Sequence, residues 1–239
     1  VESSGDANMF FVDGAGPRIY LKHSAGINIG GAGKTLQMHN TDDGNTGGIG
    51  VMHWTGANSS RSSICLAKSL GSSIGSYTAV TDGRPLGAIE WYGADGDTFE
   101  LGAQIQAEAA ETFSDSARGS EMTFHTVDNT TTTLDERMRI AHNGNIGIGT
   151  TAPEHVLHVI STSSVFERNS ADVQPCLLHF RKSRGSNASP AIINNGDGIL
   201  RIEANAYDGN SWEAVAQLNI ESDGAPGDGD TPGRFVFLT

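Results

Sequence analysis

Between Leu101 and Ala109, small or apolar side chains (Leu101, Ala103, Ile105, Ala107, Ala109) occupy every second position, with Gly, Gln or Glu between them. That is the two-residue period of a strand with one face toward a core. It overrides the helix propensity of a stretch rich in Ala, Glu and Gln. Ala214, Ala216, Leu218 and Ile220 alternate in the same way, then run into Asp223-Gly224-Ala225-Pro226-Gly227-Asp228-Gly229-Asp230, where no helix continues. Residues 86–92 and 98–108 are expected to form a hairpin around Ala94-Asp95-Gly96-Asp97, because Asp-Gly suits a turn with positive φ. Residues 36–39, 121–126, 134–141, 145–149 and 155–160 read as further strands, punctuated by Asn143-Gly144 and Pro153. Residues 40–48 and 223–233 read as surface loops, and no segment predicts a helix longer than two turns. The fold class expected is all-β.

Self-comparison adds a second layer. Arg18-Ile19-Tyr20-Leu21-Lys22-His23 matches Arg137-Met138-Arg139-Ile140-Ala141-His142, and at the same spacing Ile27, Ile29 and Gly30 fall on Ile146, Ile148 and Gly149. Lys68-Ser69 matches Lys182-Ser183. Ile89-Glu90 matches Ile202-Glu203, Asp95-Gly96 matches Asp208-Gly209, and Phe124 matches Phe237. A fixed period of this length indicates tandem modules that gain stability by stacking and by sharing apolar faces. The parse expected is the C-terminal part of one module (1–45), a complete module (46–160), and a further module (161–239) that stops before its end. The missing Met at position 1 fits a fragment or processed product.

Composition narrows the function classes. A net charge of −13 removes the basic footprint that nucleic-acid or anionic-lipid binding requires. No apolar run approaches the ~18 residues of a membrane-spanning helix. Two cysteines, Cys65 and Cys176, are too few for a disulfide framework. Gly at 31 of 239 residues suits a turn-rich β protein and argues against a helical bundle.

One stretch resembles a known family. Leu134-Asp135-Glu136-Arg137-Met138-Arg139-Ile140, Asn143-Gly144-Asn145-Ile146-Gly147-Ile148-Gly149-Thr150, Pro153 and Leu157-His158-Val159 together resemble the motif that closes repeated β modules in bacteriophage tail fibres and tailspikes. The resemblance extends over roughly residues 46–239, with a weaker echo in 9–40. It implies an elongated homotrimer in the virion tail, assembled in the host cytoplasm and joined to other tail or baseplate proteins. It also implies attachment to a host surface glycan or protein, without catalysis, and in many relatives a self-cleaving chaperone domain downstream. Ile27, Ile29, Ile146, Ile148 and Leu157 are the residues expected to pack around the trimer axis. Independently of the resemblance, Ile146 and Ile148 alternate with glycines, so one strand face is branched and the other bare enough for another backbone to approach.

Candidate chemistry is sparse. Gly30-Gly31-Ala32-Gly33-Lys34-Thr35 lacks the first glycine and the following helix of a phosphate loop. Gly71-Ser72-Ser73-Ile74-Gly75 has nucleophile-elbow spacing without the strand-to-helix turn that strains the serine. Asp95, Asp97 and Glu100 could pair as acid and base in a polysaccharide-cleaving spike. In the matching copy, however, they become Asp208, Asn210 and Glu213, so a turn is the better reading. Asp223, Asp228 and Asp230 lack the spacing of a calcium loop. His155 and His158, if both on one strand, point to opposite faces. No metal or cofactor is expected. Trp54, Trp91 and Tyr92 are the candidates for receptor contact, as aromatics able to stack on a sugar ring; the matching copy has Ala204 and Asn205 in place of Trp91 and Tyr92, whereas Trp212 aligns with Phe99 and reads as core. The other readings carried forward are an enzymatic tailspike that degrades surface polysaccharide and a bacterial adhesin or filament repeat.

Overall fold

The computed structural model describes residues 61–239, Trp54, Gly56, Ser59 and the backbone of five short strands between Phe11 and Met38. All regular structure among the described residues is β. The chain divides into two compact units, Val1–Ser163 and Ser164–Thr239.

In the first unit, β1 (Phe11–Asp13), β2 (Arg18–Leu21) and β5 (Leu36–Met38) form a small sheet, and β3 (Asn28–Ile29) pairs with β4 (Ala32–Gly33). The principal sheet has six strands: β6 (Pro85–Ala94), β7 (Phe99–Ala109), β8 (Ser120–Val127), β9 (Leu134–Ile140), β10 (Ile146–Ile148) and β11 (Leu157–Val159). They lie side by side in chain order as an antiparallel meander up to β10. β11 then joins β10 in parallel, Ile146 opposite Leu157 and Ile148 opposite Val159. In the second unit, β12 (Arg184–Ser186) and β13 (Ser189–Ala191) form a hairpin, while β14 (Gly198–Tyr207), β15 (Trp212–Ser222) and β16 (Gly233–Leu238) form a three-stranded meander.

The two meanders share one register. Ile89 faces Ile105, which faces Phe124, and Ile202 faces Leu218, which faces Phe237. Bulges interrupt the first hairpin at Pro85/Gly87 and Trp91/Tyr92, and the second at Gly198/Leu200 and Ala204/Asn205. Each interruption therefore recurs at a spacing of 113 residues, the spacing of the sequence match. A bulge re-aims the side chains beyond it. Its recurrence thus preserves which face each later residue occupies. At the tips, Asp95 Oδ1 accepts hydrogen bonds from the amides of Asp97 (3.3 Å) and Thr98 (3.0 Å), and Asp208 Oδ1 from those of Asn210 and Ser211 (both 2.8 Å).

The glycines of the closing motif are used within the chain. A Cβ on Gly147 would lie 2.5 Å from the Thr150 carbonyl oxygen, and one on Gly149, at φ +72°, 2.5 Å from the Ile160 carbonyl oxygen. The bare face read from sequence thus admits the return of the chain's own backbone. The turn is fixed by Asn145, whose Nδ2 donates to the Pro153 carbonyl at 2.9 Å, and by the Ile146 amide, which donates to Val156 at 2.9 Å. Gly147→Val is expected to detach β11. Amide exchange at Ile146 and Ile160 should accelerate toward unprotected rates while the β6–β9 amides stay protected.

Trp212 departs from expectation. It opens β15 beside the hairpin tip and is 68 % exposed, so it is not a core residue. Its ring instead packs against Tyr207, its partner in the first pair of the hairpin, with centroids 5.5 Å apart. His155 likewise precedes β11, and only His158 lies on the strand, where its Nδ1 accepts from the Glu154 amide at 3.3 Å.

Candidate functional site

Register gathers apolar residues from all six strands on one face of the principal sheet. Ile89 and Trp91 on β6 stand opposite Ile105 and Ala103 on β7, which leads to Phe124 and Met122 on β8. Met138 and Ile140 on β9 follow, then Ile148 and Ile146 on β10, and Val159 and Leu157 on β11. Each strand contributes its two-residue alternation, and the meander lines the apolar halves up. Among the described residues nothing covers this face fully. Ile89 is 57 % exposed, Trp91 51 %, Met122 44 %, Ile148 41 % and Leu157 61 %. Among the described residues the buried hydrophobic side chains are Val80 and Ala109. The second meander repeats the picture with Ile202, Phe235 and Phe237 uncovered. An apolar surface of this extent, rimmed by polar residues, marks a contact surface.

The opposite face of the principal sheet is polar and tied together. Gln104 donates to Gln106 (2.9 Å), and Gln106 to Glu108 (3.1 Å), along β7. Glu108 stands directly opposite Glu121 on β8. Two like charges so placed repel. Arg139 on β9 relieves this by donating from Nη1 to Glu121 (2.9 Å) and from Nε to Glu136 (2.7 Å). The hydrogen bond to Glu136 raises the already high guanidinium pKa further. A bulge that skips Arg137 turns it away from Arg139, toward Asp128 (2.7 Å), Asp135 (3.3 Å) and Thr126 Oγ1 (2.9 Å). The two arginines of the closing motif therefore neutralise carboxylates of their own sheet. Thr123 Oγ1 and His125 Nε2 are enclosed among these groups, without a hydrogen-bond partner.

The acidic candidates behave as structural groups. Amide hydrogen bonds from Thr98 and Asp97 hold the Asp95 carboxyl below its ordinary 3.8, and those from Ser211 and Asn210 do the same for Asp208. Asp197 is lowered strongly by its hydrogen bonds from Arg184 (2.7 Å to each oxygen) and from the Asn194 amide. A depressed folded pKa adds stability that is complete above the unfolded value, near 3.8 here, and is lost as pH falls through the folded value. Urea midpoints are therefore expected to fall below about pH 4, and the D95N/D197N/D208N triple variant to show a shallower fall over the same range.

Of the sequence-predicted site residues, Ile146, Ile148 and Leu157 lie together on the uncovered face. Ile29 lies on β3, whose side chains are outside the description, and Ile27 lies outside the described residues. Trp54 is 83 % exposed, and Trp91 shares the apolar face with Ile89. Tyr92, beyond the bulge, donates its hydroxyl to Glu90 at 2.9 Å. Cys65 and Cys176 are free thiols. No cluster of three metal-ligating side chains occurs among the described residues. Sequence reasoning missed Ile89, Met122, Ile140 and Val159 as members of the same surface. Their alternation was visible strand by strand, but their alignment depends on register.

Comparison with solved structures is decisive for the fold. The carboxy-terminal domain of the bacteriophage T5 L-shaped tail fibre superposes with a TM-score of 0.63 at 14 % identity, over 80 % of this chain and 82 % of that one. The chain has a tail-fibre fold. The same T5 domain solved with its intramolecular chaperone domain gives a TM-score of 0.64 at 15 % identity, over 80 % of this chain and 56 % of that longer one. No protein-family model matches the sequence, and no curated protein matches it either.

Proposed function

We propose that this chain is a structural and adhesive segment of a phage tail fibre, working as a homotrimer in host-cell attachment. The observation that carries the reading is the uncovered apolar face running across six strands of a tail-fibre fold. Burying a large apolar side chain contributes ~1.5–3 kcal/mol. A protein that leaves Ile89, Ile148 and Leu157 half exposed in the single chain gains that term on assembly. Ile27, Ile29, Ile146, Ile148 and Leu157 are the packing residues in this reading. Modules 1–45, 46–160 and 161–239 repeat along the fibre, supported by the shared register and bulges of the two meanders. The work is mechanical and adhesive, not catalytic. Asp95 and Asp208, the best placed carboxylates for hydrolysis, are spent on capping turns. The setting is the virion tail, where other tail or baseplate proteins adjoin the fibre and a host surface glycan or protein is its receptor.

Receptor contact is assigned to Trp54, Trp91 and Tyr92. Competition of the purified protein against phage adsorption to host cells tests this. Alanine at Trp54 or Tyr92 is expected to weaken competition at least about tenfold with the assembled mass unchanged, the loss of roughly 1.4 kcal/mol. A loss of assembled mass with Trp91→Ala would instead reassign that residue to the interface. Unaltered competition by all three variants would remove the assignment.

A further inference from the structure

Two segments have strand chemistry but, among the described residues, no strand partner. Residues 61–69 read Arg-Ser-Ser-Ile-Cys-Leu-Ala-Lys-Ser and residues 175–183 read Pro-Cys-Leu-Leu-His-Phe-Arg-Lys-Ser, 114 positions apart. Ile64 and Leu66 alternate with Cys65 and Ala67, as Leu178 and Phe180 do with His179 and Arg181. That is the two-residue period of a half-buried strand. Yet neither segment joins a ladder, and no backbone–backbone hydrogen bond forms at residues 61–69 or 175–183 among the described residues. Their apolar side chains stand open: Ile64 is 77 % exposed, Leu66 56 %, Leu178 61 % and Phe180 51 %. Phe180 forms one wall of an open groove of about 760 Å³, facing Pro190, Ile192 and Ile199.

Each unit also has a sheet edge that no further ladder joins among the described residues. β6 ends the principal sheet and β14 ends the three-stranded one, each joined to a neighbouring strand on one side. The chain's own first arm does not fill the β6 edge. A Cβ on Gly87 would lie 2.7 Å from the Leu66 Cβ, so this arm crosses over the face of β6. An open edge and an unpaired strand are complementary liabilities, and each is resolved when one extended segment adds to another sheet. Charge favours a second copy as the partner. The two arms carry four basic residues (Arg61, Lys68, Arg181, Lys182) and no acidic one, in a chain of net charge −13.

We infer that residues 61–69 and 175–183 are exchanged strands, which add to the open edges of β6 and β14 in a neighbouring copy of this chain. The inference rests on the trimeric reading and names where its copies interlock by main-chain bonding.

The test combines hydrogen exchange and cross-linking on the full chain, with assembled mass measured in parallel. In the assembled protein, amides in 62–69 and 176–183 are expected to exchange at least about 100-fold slower than in the corresponding free peptides. With Cys176→Ser in place, a cysteine introduced in turn at Ala88, Ile89 and Glu90 should oxidise with Cys65 into covalent dimers and trimers on a non-reducing gel. Peptide-like exchange in both arms of a protein that is still assembled overturns the exchange and leaves the trimer standing. Slow exchange with only intrachain cross-links also overturns it, because the arms then pair at home. A single-chain mass removes both readings.

Discussion

Aspartate at Ile89 or Ile148 is expected to convert the assembled protein into single chains. Each side chain projects from the uncovered face of the principal sheet, at 57 % and 41 % exposure. In a lone chain the substitution places a charge in water and costs little. At a buried contact the same charge loses its hydration without gaining a partner, a penalty of several kcal/mol. A cost of about 4 kcal/mol in each copy weakens every contact roughly a thousandfold. Sedimentation or light scattering reads the loss of mass, and far-ultraviolet circular dichroism reads the sheet. Lost mass with preserved strand signal is the expected pair of results.

Arg139→Met should produce the largest loss of stability from a single polar residue. Its side chain is 16 % exposed, and Glu121 and Glu136, which it joins, are each 14 % exposed. Removal leaves these two carboxylates, together with Glu108 directly across from Glu121, without their central positive charge. Breaking a largely buried pair from one side costs about 3 kcal/mol or more. The denaturation midpoint should fall accordingly. Adding Glu121→Gln and Glu136→Gln to Arg139→Met should restore much of the loss, because the penalty resides in the stranded carboxylates. Arg137→Met should cost under about 1 kcal/mol, since its ion pairs with Asp128 and Asp135 are more open to solvent.

The strands were legible from alternation. Residues 134–141 and 121–126 were read within two residues of β9 and β8, and the Asp-Gly hairpins stand where the turn chemistry put them. What alternation cannot supply is the lateral relation between strands. The bulge at Arg137 decides that one motif arginine meets Asp128 and the other Glu121, and a bulge leaves little trace in a hydrophobic pattern. The parallel return of β11 onto β10 is set by Asn145 reaching the Pro153 carbonyl, a side-chain contact that no periodicity encodes. Trp212 misled because its alignment with Phe99 was sound while its environment at an open hairpin tip was not implied by it. The candidate surface was visible as Ile146, Ile148 and Leu157, and only the register extended it across to Ile89 and Trp91.

The mass of the protein in solution at micromolar concentration, by light scattering, bears most directly on whether identical copies cover that sheet face. A value of about three times the 25.1 kDa chain is the result expected. A stable 25.1 kDa species, with Ile89, Ile148 and Leu157 still open to solvent, would contradict it.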